Sequence, residues 1–545
     1  MRIIFISILA SFLALQAVAQ PTRKDVLRGG ERHERSCFDV TYYNLHVNVE
    51  IGEQSISGRN EVSFTVVDTT SKIQLDLFEN MIIDHISKED AMLNFKRDFD
   101  AIFIDLDRVY LPGEKLAIEI AYHGKPRIAK MPPWDGGFTW TKDDNGMDWV
   151  GVSCQGIGAS LWWPSKEVYS DEPNGMEIHC TVPSHLYAVC NGQEELETVN
   201  EDGTTTYNWK VTYPINNYNV TLNIANYTHF NDTYTALDGE VLSLDYYVLP
   251  YNLDKAKKQF EQVKPMLKCY EQFLGKYPFW NDGYALVETP YLGMEHQGAI
   301  AYGNKFKRGY MGMDRSGQEL DFDYIIIHET GHEWWGNSVS CQDLADMWIH
   351  ESFCTYSEAI YVECLWDYPT AMKYVNAMKT TVANTSPIIG VYGLNKEGHS
   401  DMYVKGMLFL NTLRHIINDD AKWWAMIKNM SDKEFKIRTT NYDEVVAYFS
   451  RESGMDLSKV FDQYVRHKQI PILEVKTKRK GKNYTQYSCK WKTDVKDFSM
   501  PVAINLNGQI TYYKCNSKKA ITITLPNHAT NVFDQDVMYY EIMFY

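Results

Sequence analysis

Apolar and polar residues alternate with a period of two in short runs along the first half of this chain. Leu45, Val47, Val49 and Ile51 form one run, Ile73, Leu75 and Leu77 a second, and Leu116, Ile118 and Ile120 a third. That period places one face of each run in a core and the other toward solvent, and turn residues separate the runs. The pattern predicts an antiparallel β domain over residues 20–235. From about Leu253 the spacing becomes helical, as in Lys257-Lys258-Gln259-Phe260-Glu261-Gln262-Val263, and stays mainly helical to about Tyr464. A mainly α domain over residues 236–468 follows. After Pro471 alternation returns: Ile504 to Ile510 reads as a hairpin turning at Asn507-Gly508, and Ile521, Ile523 and Leu525 as a further strand. Residues 469–545 are expected to form a small β-sandwich-like domain, giving a multidomain α+β chain.

Residues 1–19 differ from the rest. Arg2 precedes the largely apolar run Ile3 to Leu15, and Ala17-Val18-Ala19 offers a small-residue cleavage site, the pattern of a secretory signal peptide. The run is short for a membrane span, and no later stretch approaches one. Export to the periplasm or the medium is the expectation, with no transmembrane segment after signal removal.

The formal charge of −17 becomes one unit more negative once Arg2 is gone, which argues against nucleic acid as a partner. Ten cysteines show no CxxC pair. Cys180 with Cys190, and Cys489 with Cys515, could bridge neighbouring strands, or all could be buried thiols. Asn219-Val220-Thr221 is a glycosylation sequon. The sequence does not determine the oligomeric state.

Chemistry concentrates in His328-Glu329-Thr330-Gly331-His332, with Glu351 after eighteen intervening residues. On a helix, expected here over Asp321 to Trp335, residues four apart share a face, so both imidazoles can reach one cation while Glu329 points beside it. A second helix over Trp348 to Glu363 would bring Glu351 as third ligand, leaving one position of a single Zn2+ open for water. Glu358, two turns beyond Glu351, could orient a ligand histidine from behind, or be a solvated helix glutamate. The set suggests hydrolysis in which water activated at the metal attacks and Glu329 is the general base.

The same stretch, with Trp334-Trp335-Gly336-Asn337 and Trp348-Ile349-His350-Glu351, resembles the aminopeptidase N and leukotriene-hydrolase family of zinc metallopeptidases. Gly293-Met294-Glu295-His296, 33 residues before His328, resembles that family's exopeptidase signature, and Tyr403-Val404-Lys405-Gly406 its tyrosine motif. The likeness runs from about Cys37 to the end. It implies a thermolysin-like catalytic domain and a peptide substrate with a free N-terminus, whose α-amine Glu295 binds. Tyr403 would donate to the developing oxyanion, Gly293 and Met294 would line the first side-chain pocket, and Gln155 would help line the substrate site. Leu292, His296, His350 and Ser352 depart from the family pattern, which bears on substrate preference more than on activity. No counterpart of the family's common helical C-terminal domain is expected from this sequence, nor any residue that domain would offer to the substrate's carboxyl end. A related endopeptidase would share the metal motif without needing Glu295, and a catalytically silent peptide binder would need neither Glu329 nor Tyr403. Nothing in these residues argues for an epoxide hydrolase activity.

Overall fold

The computed structural model describes residues 21–545 apart from 90, 528, 530 and 531. The segment read as a signal peptide lies outside the described residues. No helix among those described is long and apolar enough to cross a membrane.

The first domain is built on an eight-stranded sheet, and its central strand Phe38–Glu50 buries Leu45, Val47 and Val49. That strand pairs antiparallel with Ser55–Val66 but parallel with Met176–Pro183. The all-antiparallel expectation is corrected at this pair, because more than a hundred residues separate the two strands and no hairpin joins them. A three-stranded sheet carries Thr70–Asp76, and a four-stranded sheet carries Asp148–Ser153. The second of these leads directly into Cys154 and Gln155, which places that glutamine at the edge of the domain.

A further sheet of five strands begins with the hairpin Thr228–Thr235 and Val241–Val248. Val241–Val248 continues in parallel with Tyr284–Glu288, which pairs in parallel with Ile300–Tyr302, and the edge strand is Gly293–Met294. The two strands of the hairpin therefore share the sheet that supports the metal motif, and a division after residue 235 falls in its turn. The helical run from Leu253 is interrupted: Leu253–Gln259 and Val263–Leu274 are α-helices joined by a 3₁₀ turn. Pro265, in the first turn of the second helix, has no N–H to continue the first.

Three helices frame the site. They are Tyr324–Gly331, Met347–Leu365 and Val404–Ile417, here called the motif, glutamate and tyrosine helices. The glutamate helix is central, and its residues Met347 to Val362 are buried. In the last domain, a four-stranded sheet faces the hairpin Ser499–Leu506 and Gln509–Asn516. Asn507 and Gly508 both take positive φ, as the two central residues of a type I′ turn must. Trp491 packs between Phe498 and Tyr540 in this small core. Asn411 of the tyrosine helix donates to the Val537 carbonyl, and the hydroxyl of Thr412 accepts the Tyr539 N–H, which anchors this domain to the helical one.

All ten cysteines are thiols. The pairs singled out from sequence are neighbours nonetheless: Cys180 and Cys190 are close enough to influence each other's thiol, and Cys515 donates to the carbonyl of Cys489.

Candidate active site

Asp323 starts the motif helix. Its carboxylate accepts the Ile325 N–H at 3.0 Å and also receives Tyr302, Asn304 and Gln259, tying the helix start to the sheet. The helix is shorter than Asp321 to Trp335: Asp323 caps it at one end and His332 is already the C-terminal cap at the other. The chain then turns so that Trp334 and Trp335 are both buried, their indole N–H groups donating to Gly275 and Ser357. Gly331 permits this packing, since a Cβ there would stand 3.0 Å from the Cys354 sulfur of the glutamate helix.

The two histidines point their Nε2 atoms at a common place, 3.3 Å apart. Each Nδ1 has a partner: Glu358 Oε1 at 2.7 Å for His328, and the Trp335 carbonyl at 2.8 Å for His332. Both acceptors assign the proton to Nδ1 and leave the Nε2 lone pairs available. Glu351 Oε2 lies 3.8 and 3.5 Å from these nitrogens and is a buried oxygen without a hydrogen-bond partner. Ligand atoms around a tetrahedral zinc with bonds of about 2.0–2.1 Å stand roughly 3.3 Å apart, so this triangle fits one ion. Cys354 also comes close to both imidazoles, but its sulfur is committed to the His328 carbonyl at 2.8 Å. Burial alone would raise the Glu351 carboxyl, yet the two imidazoles hold it below the usual range. Glu358 is fully buried and receives the Tyr374 hydroxyl as well, which excludes the solvated alternative.

Glu329 faces the edge strand Gly293–Met294, where a Cβ on Gly293 would approach its Oε1 to 2.7 Å. Glycine is what allows that strand so near the carboxylate. Burial pushes Glu329 up to about 7, while the two imidazoles pull it down. Glu295, next to Met294, is 2% exposed; burial raises its carboxyl, opposed by His332.

Gln155 reaches in from the first domain. Its amide donates to Glu295 Oε1 at 2.7 Å and to Glu351 Oε1 at 3.0 Å, bridging two carboxylates that would otherwise repel. The Tyr218 hydroxyl also donates to Glu295, and Asn337 holds the Glu295 carbonyl. Neither role was anticipated. Asn337 ends the Trp-Trp-Gly-Asn stretch and could have been suspected, whereas Tyr218 carries no distinctive spacing. Asn219 is fully buried and donates to Asn337, so its sequon is closed to glycosylation in the folded chain.

Tyr403 immediately precedes the tyrosine helix, its ring 6.1 Å from the His328 ring and its hydroxyl beside Glu351. Burial, reinforced by that carboxylate, keeps the phenol protonated and able to donate. The departures from the family pattern find places here. Ser352 donates to the Met402 carbonyl at 2.8 Å, tethering the turn before Tyr403. His350 Nε2 accepts the Cys341 N–H at 2.8 Å. Burial drives both His350 and His296 down to about 3, so each is neutral at physiological pH. His296 has neither ring nitrogen paired.

The two histidines, Glu351, Glu329, Glu295, Gln155 and Tyr403 open onto one cavity of about 340 Å³. Its wall includes Gln155, Leu292, Gly293, Met294, Glu295, His328, Glu329, His332, Glu351 and Tyr403, so every residue expected to ligate metal, act on substrate or bind it meets there. Pro133 and Trp134 from the first domain and Tyr310, Arg315 and Tyr324 from the second complete it.

Residues 40–218 match the Peptidase M1 N-terminal domain and residues 251–464 the Peptidase family M1 domain. Among similar proteins, a leucyl aminopeptidase of Saccharolobus solfataricus is 21% identical over 62% of this chain and 43% of its own length. An aminopeptidase N of Escherichia coli is 25% identical over 53% of this chain and 34% of its own. The chain thus spans less than half the length of these curated relatives. The fold is that of the M1 zinc metallopeptidase of Deinococcus radiodurans, with a TM-score of 0.67, 18% identity, and coverage of 81% of this chain and 95% of that one. A variant of that protein with a bound Tyr-Ser-Ala substrate superposes similarly, with a TM-score of 0.66 over 80% of this chain and 95% of that one, again at 18% identity.

Proposed function

The chain belongs to peptidase family M1, and from that premise we propose that it is an exported, zinc-dependent aminopeptidase hydrolysing the N-terminal bond of peptides. One observation carries the reading: the buried carboxylate of Glu295 opens onto the same cavity as the His328, His332 and Glu351 ligand atoms. An endopeptidase has no use for it there. Export rests on the pattern of residues 1–19.

The roles follow from position and charge. Glu295, held by Gln155 and Tyr218, pairs with the substrate ammonium and anchors one end, so that the first peptide bond lies against the histidines. Zinc, held by His328, His332 and Glu351, would supply Lewis acidity to the scissile carbonyl and lower the pKa of water toward about 7. Glu329, poised near neutrality by burial, takes the proton of the attacking water and returns it to the leaving amine. Tyr403 donates to the oxyanion as it forms. Glu358 fixes the ring of His328 from behind and raises its basicity.

The test is turnover of aminoacyl reporters, each with and without an N-acetyl block, before and after chelation. Hydrolysis of the free-amine forms alone, lost on chelation and restored by zinc, is expected. Equal turnover of the blocked forms would overturn the aminopeptidase reading, and resistance to chelation would overturn the metal.

A further inference from the structure

Three carboxylates, Glu295, Glu329 and Glu351, lie in the cavity wall, and Arg315 is the lysine or arginine found there among the described residues. Arg315 sits on the segment between Ile300–Tyr302 and the motif helix, with its guanidinium 3.6 Å from the ring centroid of Tyr310 and 5.4 Å from that of Tyr324. The Tyr324 ring stacks on His328 at 5.2 Å. A row of rings therefore leads from the metal ligands to this one cation.

The local chain fixes that placement. Asp314 accepts the Ser316 N–H at 2.8 Å, the Ser316 hydroxyl at 2.6 Å and the Glu319 N–H at 2.7 Å, so the neighbouring carboxylate is spent on shaping the turn. Arg308, on the same segment, is paired with Asp321. Arg315 has no ion-pair partner among the described residues; its guanidinium carbon lies over the Tyr310 ring, and a guanidinium fork can take a carboxylate bidentately.

We propose that Arg315 binds the C-terminal carboxylate of short peptide substrates, so that the site reads both ends of a peptide of about three residues. The inference rests on the aminopeptidase reading above and adds a substrate class to it. Charge decides the direction: a peptide with its ammonium at Glu295 cannot bring its carboxylate near Glu329 or Glu351 without repulsion, and Arg315 is the complementary group. Distance decides the length. Steps of 5.4 Å from guanidinium to the Tyr324 ring and 5.2 Å from that ring to His328 set the greatest separation, which an extended chain advancing ~3.5 Å per residue covers in at most about three residues.

The experiment compares kcat/KM for trialanine, trialanine amide and Ala-Glu-Ala amide in the wild type, Arg315→Ala and Arg315→Lys, with alanine 4-nitroanilide as a reporter that has no carboxylate. In the wild type the free acid is expected to exceed its amide by at least about fivefold at low ionic strength, and by less as salt rises, because the pair is exposed. Arg315→Ala brings the ratio to about one and Arg315→Lys retains part of it. The ratio is internal to each variant, so a general loss of activity does not mimic the effect. Anilide turnover with no acid preference in the wild type, or a preference that survives Arg315→Ala, overturns the proposal and leaves the aminopeptidase reading intact. Ala-Glu-Ala amide matching the free acid would move the recognised carboxylate to a side chain and overturn the C-terminal assignment. Absence of turnover on anilide and peptides alike would sink the underlying activity, and this proposal with it.

Discussion

In the proposed reaction Glu329 and Tyr403 act on the same bond from different sides, and the loss expected from each differs in kind. Glu329→Gln removes the base but keeps the shape, so kcat should fall by about 10²–10⁴ with bound metal unchanged by elemental analysis. A variant retaining more than a tenth of the activity would assign the proton transfer elsewhere. Tyr403→Phe deletes one donor to the oxyanion, for which a loss of about 10²–10³ in kcat with little change in KM is expected. Glu358→Ala should act through the metal: its carboxylate touches His328 and not the cavity, so zinc affinity should drop by about 10–100-fold in a competitive chelator titration, with activity recovered at excess zinc. The proposed ligands and base could be suspected from the sequence because imidazoles four apart share a helix face, and Glu295 only through its likeness to the family's exopeptidase signature; the structure brings all of them to one cavity. Tyr218 and Arg315 could not be suspected. A tyrosine hydroxyl aimed at Glu295 and a guanidinium stacked on Tyr310 are defined by tertiary position, and nothing in their spacing announces it.

At the level of elements, the crossing of the glutamate and tyrosine helices positions Tyr403. A Cβ on Gly406 would come within 2.0 Å of Ser352 Oγ and 2.4 Å of its Cβ, so serine at 352 requires glycine at 406. Gly406→Ala should cost about 1–3 kcal/mol in urea unfolding, and Ser352→Gly in the same chain should restore a good part of it. Strict additivity of the two changes would show that the crossing is looser than these distances state. Glu288 closes the strand Tyr284–Glu288, accepting the Leu249 N–H at 2.8 Å and the Asn252 amide at 2.7 Å. Burial pushes its carboxyl up to about 7 despite those bonds. A carboxyl whose folded pKa exceeds the unfolded value stabilises fully below the unfolded value, and that stability is lost as pH rises toward the folded one. The thermal midpoint should therefore decline between about pH 4.5 and 7, less steeply in Glu288→Gln. An unchanged slope in the variant would assign the decline to other buried acids. The strands of Leu45 and Ile118 were readable because each alternates across a single buried face, whereas Tyr284–Glu288 is buried on both faces and carries no such period. The motif helix ended early for a local reason: the Asp323 cap and the turn that buries Trp334 and Trp335 outweigh the helical spacing of the residues beyond them.

Across the whole molecule, the candidate active site is assembled from two domains. Gln155, Pro133 and Trp134 come from the first, and the metal ligands, Glu295 and Tyr403 from the second. The order of domains could be read from changes of period, since a β core and a helical core impose different spacings. The parallel pairing of Phe38–Glu50 with Met176–Pro183 could not, because alternation is the same whichever way a neighbour runs. Nor could the shared cavity, which depends on how the domains close. That closure brings Gln155 between Glu295 and Glu351, and it makes one claim central: the free amine of a peptide, gripped by Glu295, decides which bond is cut. The most direct measurement is mass spectrometry of the products from a ten-residue peptide and its N-acetylated twin, each incubated with the purified, zinc-loaded protein. The account predicts a ladder of single-residue losses from the N-terminus of the free peptide and an intact acetylated peptide. Internal cleavage of the acetylated peptide at a comparable rate would contradict it.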